Sequence, residues 1–308
     1  METPVRVLVV GASGALGRPA VQGLRQCGVV VRALSRHPAR AADLAALGAE
    51  VVVGDLSDAV SLRHACQGMT RVLACAHGLL GRGRWRSEAV DDAGHRALIA
   101  AAHEAGVGRF VYTSALGAHA GHPIDFFRTK ATIEQAVRRS GMPFAILRPS
   151  AFMEHHVHNF NGKGLLEKGK AQLIGPGTKP RNFVAASDVA ALAVRALLDE
   201  PLPFTSLDIG GHDHLSGLDV ARLYARVAGV EARVSHLPAG VARALAVLLR
   251  PVHPGMARVM HLLSLPDDAF DEVFDGAAAL EARFGLRLKR VHTFVREQVA
   301  LAGRAPVH

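Results

Sequence analysis

Val5 to Val10 reads VRVLVV, and the chain breaks at once into Gly11-Ala12-Ser13-Gly14-Ala15-Leu16-Gly17 before a helical pattern begins. No other stretch limits the fold so tightly. Glycines that follow a strand and open a helix leave backbone N–H groups bare, which is the geometry that seats a phosphate on a helix N-terminus. Gly11 permits a tight turn, Gly14 a close approach of backbone to a pyrophosphate, and Gly17 close packing of helix on sheet. The spacing predicts a dinucleotide site at the first strand–helix turn.

The end of the second strand, Val29 to Leu34, selects the dinucleotide. Sites for NAD(H) place an acid there, about 20 residues past the glycines, to bond the ribose 2′-hydroxyl. This chain has Ser35-Arg36-His37 instead. A guanidinium binds phosphate through two parallel charge-assisted hydrogen bonds, so NADP(H) is expected ahead of NAD(H). The other reading of Arg36 is a solvated loop charge.

Strands and helices then alternate. Helices are expected at Pro38–Leu47, Ala59–Gln67, Ser87–Ala105 and Phe127–Ser140, and strands at Glu50–Val53, Arg71–Cys75, Arg109–Thr113 and Phe144–Leu147. Continuous apolar strands separated by helices imply a parallel sheet covered on both faces. The predicted class is α/β, a Rossmann-type doubly wound parallel sheet with a smaller, mainly helical C-terminal substrate lobe. Residues 1–150 form the nucleotide-binding core, to which 183–212 return, and 151–182 with 213–308 form the lobe. Asn161–Arg181, rich in Gly, Lys and Pro, reads as a mobile loop, Ser187-Asp188 as a helix cap, and Val234 as part of a short strand.

The composition excludes several classes. A net charge of +9 would suit nucleic acid, but the arginines are scattered and aromatics make up only 5% of the chain. A solvated basic surface is the better reading. Cys27, Cys66 and Cys75 are far apart and form no metal-ligand pair, as expected of reduced thiols in a cytoplasmic protein. The first strand starts so early that no signal peptide is expected. Ala239–Leu249, the longest apolar stretch, contains Arg243 and is far short of the roughly 20 residues of a membrane span. In Glu154-His155-His156-Val157-His158, Glu154 and His158 share a helical face, but a zinc site needs at least three ligands, so no metal is expected.

Taken together, VRVLVVGASGALG at Val5–Gly17, VRALSRHP at Val31–Pro38, VGDL at Val53–Leu56, AGVGRFVYTS at Ala105–Ser114 and KATIEQAVRRSGMPFAILRPSAFME at Lys130–Glu154 resemble the NmrA-like branch of the atypical short-chain dehydrogenase/reductases. The resemblance covers about the first 210 residues and more faintly the rest. It implies NADP-type cofactor binding and, in catalytic members, hydride transfer to small ketones, quinones or activated alkenes. Other members bind the nucleotide as redox sensors or assembly factors. By the same resemblance Gly11, Ser13, Gly14, Leu16 and Gly17 form the pyrophosphate loop and Arg36 meets the 2′-phosphate. Asp55 and Leu56 border the adenine, although Asp55 also reads as a helix cap or turn acid. Ala76 and His77 back the nicotinamide ribose, Thr113 and Ser114 end the fifth strand, Lys130 is the family lysine, and Pro149 to Phe152 close over the nicotinamide.

Carbonyl reduction needs a proton or a strong hydrogen bond at the developing oxyanion. Short-chain dehydrogenases supply it from a tyrosine four residues before the lysine, one helical turn away. Here that position is Phe126. Tyr112 and Tyr224 are the only tyrosines, and both read as core. The candidates left are Lys130 itself, Ser114 at the carbonyl oxygen, one of His77, His119 and His122, or water. The leading expectation is an NADP(H)-dependent oxidoreductase acting on a small molecule. The rival is a non-catalytic nucleotide-binding sensor or assembly factor, for which Ala239–Leu249 and Met256–Leu265 are candidate docking helices. Oligomeric state and substrate are left open.

Overall fold

The computed structural model describes residues 4–78, 88–265 and 273–303. The chain divides into two compact units, residues 1–148 with 189–207 and residues 149–188 with 208–308.

The first unit is built on a seven-stranded sheet. Its strands are β1 (Arg6–Val10), β2 (Val30–Ser35), β3 (Glu50–Val53), β4 (Arg71–Ala74), β5 (Arg109–Thr113), β6 (Phe144–Pro149) and an edge strand at Ser206–Ile209, β10 once the intervening strands are counted. The order is β10-β6-β5-β4-β1-β2-β3, and the registered pairs among β1 to β6 run parallel. The chain winds outward from β1 in one direction through β2 and β3, then returns to pair β4 on its other side. That reversal puts the turns after β1 and β4 side by side at the strand carboxyl ends, where an open α/β sheet takes its ligand. The doubly wound fold expected from the sequence is the one observed.

Burial explains why these strands read as nearly uninterrupted apolar runs. Leu8, Val10, Val72, Phe110, Tyr112 and Ile146 are buried in one cluster with Leu62, Leu98 and Ile133 of the covering helices. Those helices are α1 (Gly17–Gln26), α2 (Ala42–Ala46), α3 (Ala59–Cys66), α4 (His95–Glu104) and α5 (Asp125–Arg139). The helix expected from Pro38 opens instead as a single 3₁₀ turn, Pro38–Arg40, before α2. The helix expected over Ser87–Ala105 has two parts, wide π-type turns at Glu88–Gly94 and then α4. Ser87 itself lies outside the described residues.

The second unit has its own core, in which Met153, Val157, Leu165, Phe183, Tyr224 and Phe294 are buried together. Asn161–Arg181 is not the loop the sequence suggests. It contains α6 (Lys163–Lys168), β8 (Lys170–Ile174) and the start of β9 (Arg181–Val184). Gly169, at φ 65°, ends α6 in a left-handed turn, and β8 pairs in parallel with β12 (Arg233–Leu237), more than fifty residues on. A pairing so distant in sequence leaves no local signature beyond an alternation of buried and exposed side chains.

The helix expected to start at Ser187-Asp188 is α7 (Ala186–Leu198), so those two residues lie in its first turn. Its N-terminus is capped from elsewhere: both Glu154 carboxylate oxygens accept from the Ala186 N–H at 3.1 Å. Asp188 accepts from the Lys289 N–H at 2.7 Å.

Candidate functional site

The glycine turn is held by backbone alone. The Gly14 N–H donates to Gly11 O at 3.0 Å, and the Arg18 N–H donates to Gly14 O at 3.1 Å. Gly11 sits at φ 95°, where L side chains are strained. A β-carbon there would lie 2.6 Å from the Ala76 nitrogen, so the turns after β1 and β4 touch through it. At Gly17 a β-carbon would collide with Gly11 O and the Ala12 backbone. Leu16 and Gly17 are buried while Ser13 and Gly14 are exposed. The tip is therefore open and its base packed, a cradle that fits a pyrophosphate.

Arg36 and Asp55 line one cleft of about 610 Å³ with His37, Gly54 and Ser57, and Val53, 68% exposed, offers it an apolar wall. Asp55 Oδ1 accepts from both the N–H and the hydroxyl of Ser57 at 2.9 Å. It is Asp58 that caps α3, accepting from the Val60 N–H at 3.0 Å. Leu56 is buried. A guanidinium, a carboxylate and an apolar wall in one cleft fit the phosphorylated ribose and adenine of NADP(H).

A second cluster gathers around Lys130 in α5. Its Nζ is buried and donates to Thr113 O, the last residue of β5, at 2.9 Å. The Nζ also lies 5.1 Å from the centre of the Tyr112 ring and 5.7 Å from that of Phe126. The hydroxyls of Thr113 and Ser114 are buried and have no hydrogen-bond partner within the described structure, and so is that of Tyr112. Orphaned buried hydroxyls are rare in a finished core and point to a missing partner. They fit the hydroxyls and amide of a nicotinamide riboside.

Electrostatics around Lys130 follow from burial. Desolvation lowers its pKa, against which the nearby Asp91 carboxylate pulls upward. Burial pushes the Cys75 thiol up to about 12 and the Tyr112 phenol well above its usual value. Neither is a nucleophile or acid near neutral pH. His95 Nδ1 meets Val90 O at 2.8 Å, and its ring packs edge-on to Tyr112 at 5.5 Å. Burial first, then the Lys130 charge, lowers the His95 pKa to about 4.

Asp91 and His95 were not among the residues the sequence singled out. Their only signal is i, i+4 spacing on one helical face. Asp91, 2% exposed, accepts from the Gly78 N–H at 2.7 Å and so ties down the segment of Ala76 and His77 after β4.

His122 and Tyr224 are engaged elsewhere. His122 Nδ1 accepts from the Ile124 N–H at 3.0 Å and its ring stacks on Phe127 at 4.2 Å, which leaves it poorly placed to deliver a proton. Tyr224 is core and meets His158 Nδ1 at 3.1 Å. With Glu154 capping α7, the two residues that share a face in the Glu154–His158 segment both serve structure. Pro149 closes β6, and Phe152 lies in β7 (Ala151–Phe152), which pairs with β9 inside the second unit.

A model of the NmrA-like family matches residues 3–286. The chain belongs to the NmrA-like family. Within reach of it is an NAD(P)H azoreductase of Xenophilus azovorans, 30% identical over 224 residues that cover 72% of this chain and 74% of that one. A photosystem II assembly factor, Ycf39 of Guillardia theta, is 28% identical over 75% of this chain and 73% of its own. Among solved structures, the NADP(H) complex of a Citrobacter triphenylmethane reductase superposes with a TM-score of 0.75 at 21% identity, covering 95% of this chain and 99% of that one. An Escherichia coli quinone oxidoreductase bound to NADPH gives 0.72 at 24%, covering 97% and 100%. At such identities the two structures establish the shared fold. No helix among the described residues is long and apolar enough to cross a membrane.

Proposed function

We propose that this chain is an NADP(H)-dependent reductase that passes a hydride to a small carbonyl, quinone or activated alkene. The observation that carries the reading is Lys130, a buried ammonium hydrogen-bonded to the end of β5, where the hydroxyls of Thr113 and Ser114 have no partner within the described structure. The azoreductase likeness supports the same chemistry.

When bound, NADPH supplies the hydride. Gly11, Ser13, Gly14 and Gly17 hold its pyrophosphate, Arg36 its 2′-phosphate, and Asp55 with Leu56 the adenine edge. Lys130 and Thr113 hold the ribose on the nicotinamide side, and Ala76 with His77 back it. Lys130 Nζ has three N–H donors, of which Thr113 O takes one. With Phe126 where a phenol would stand, Lys130 stabilises the oxyanion directly and, with its pKa lowered by burial, gives up a proton more readily than an exposed lysine. Ser114 Oγ donates a second hydrogen bond to that oxygen.

Phe126 also favours a second reading, in which the chain binds NADP(H) without turnover and works as a sensor or assembly factor, the role named for its Guillardia relative. Titration with NADPH and NADH followed by a stopped-flow screen of quinones, ketones and conjugated alkenes separates the two. Acceptor-dependent loss of nicotinamide absorbance supports the reductase. Tight NADPH binding with no oxidation by any acceptor supports the sensor, and binding of neither nucleotide sinks both.

A further inference from the structure

The second unit carries an apolar face that the reductase reading does not use. Five of the eleven large apolar side chains exposed among the described residues, Val241, Leu245, Val247, Leu248 and Val252, fall in α9 (Ala239–Leu249) or the turn after it. Val247, Leu248 and Val252 are each more than 70% exposed. On the helix, Ala242 and Ala246 are buried one turn apart and point to the protein. At about 100° per residue, Val241, Leu245, Val247 and Leu248 then sweep the outward arc. Arg243 and Arg250 fall together on one border of that arc. Scattered exposed apolar residues are ordinary, but a contiguous set on one helix marks a contact surface.

Charge says what the contact is. From Ala232 to Leu265 the chain holds Arg233, Arg243, Arg250 and Arg258 and not one aspartate or glutamate. The following α10 (Pro254–Leu263) packs against α9, so the two helices form one acid-free hairpin, with Arg233 ahead of it in β12. An outward apolar face bordered by arginines, free of acids and far too short to span, is the pattern of a helix lying in a lipid interface. An anionic bilayer repels every carboxylate and attracts every guanidinium, so an apolar face with arginines at its border and no acids along the hairpin suits it.

We infer that α9 docks this protein on anionic membrane surfaces, with Val247 and Leu248 entering the headgroup region and Arg243 and Arg250 meeting lipid phosphates. The inference is independent of the reductase reading, because it concerns residues that hold neither nucleotide nor acceptor. Its consequence is a class of acceptor: a reductase held at a bilayer meets lipid-soluble quinones and alkenes at their highest concentration.

The test is co-sedimentation of the full chain with vesicles of phosphatidylcholine alone and with vesicles containing phosphatidylglycerol, at low and high salt. Binding should favour the anionic vesicles, fall as salt screens the arginines, and weaken roughly tenfold in the Val247→Glu/Leu248→Glu double variant. That variant should keep its thermal midpoint and its NADPH affinity, since both side chains face solvent. Three results overturn the inference: no sedimentation with anionic vesicles, equal sedimentation of parent and variant, or equal sedimentation with neutral and anionic vesicles. A dimer that the double variant splits, without lipid binding by the parent, would assign the face to a second copy of this chain instead.

Discussion

Lys130 Nζ donates to Thr113 O at 2.9 Å, pinning the buried face of α5 to the last residue of β5. A backbone oxygen as partner fixes the ammonium in place while leaving two donors to turn toward a ligand. Lys130→Ala should therefore cut acceptor-dependent NADPH oxidation by at least about a hundredfold. The far-UV spectrum should be unchanged. Steady-state rates with a quinone acceptor check this, and a variant that keeps more than half of the parent rate would remove Lys130 from the chemistry.

Arg36 shares its cleft with Asp55 and the apolar wall of Val53. Replacing it by Ala takes away a charge-assisted fork, so NADPH should bind about ten- to a hundredfold more weakly while NADH is nearly unaffected. Equal losses for the two nucleotides, read by fluorescence titration, would mean that Arg36 does not meet the 2′-phosphate.

Gly17 admits no β-carbon, because Gly11 O and the Ala12 backbone already occupy that space. Gly17→Ala must push α1 away from the turn, at a cost of about 1–3 kcal/mol. Both a lowered thermal midpoint and impaired binding of NADPH and NADH alike are expected. Full binding in this variant would show that the turn does not seat the pyrophosphate.

His95 has a folded pKa of about 4, against the ordinary value of 6.5. Between those limits the unfolded chain binds a proton that the folded chain excludes. Stability therefore rises with pH across this window and is lost as pH falls from 6.5 toward 4, by at most about 1.4 kcal/mol per pH unit for one such group. Urea unfolding of His95→Gln should show a shallower fall over the same range. If the two proteins lose stability in parallel, His95 is not the buried neutral group described.

The sheet was legible because its central strands are buried on both faces and read as apolar runs. β3 and β5 fall at the expected residues, Glu50–Val53 and Arg109–Thr113. What failed was non-local. The β8–β12 pairing joins segments that separately look like loop and short strand, and the cap of α7 comes from Glu154, thirty-two residues earlier. At the candidate site the glycines announce themselves by spacing, and Lys130 by the family resemblance. Asp91 and His95 do not, because an acid and a histidine one turn apart are common on exposed helices. Only burial beneath Tyr112 and Lys130 sets them apart.

Hydride transfer by a chain with Phe126 in place of the tyrosine is what separates the reductase reading from the sensor reading. Its most direct test is a single-turnover experiment in which the protein, loaded with NADPH deuterated at the transferred position or with unlabelled NADPH, is mixed with a quinone. Loss of nicotinamide absorbance is expected on mixing, slower with the deuterated cofactor and absent in Lys130→Ala. A protein that binds NADPH tightly yet leaves it unoxidised by quinones, ketones and conjugated alkenes alike would not be a reductase of this kind.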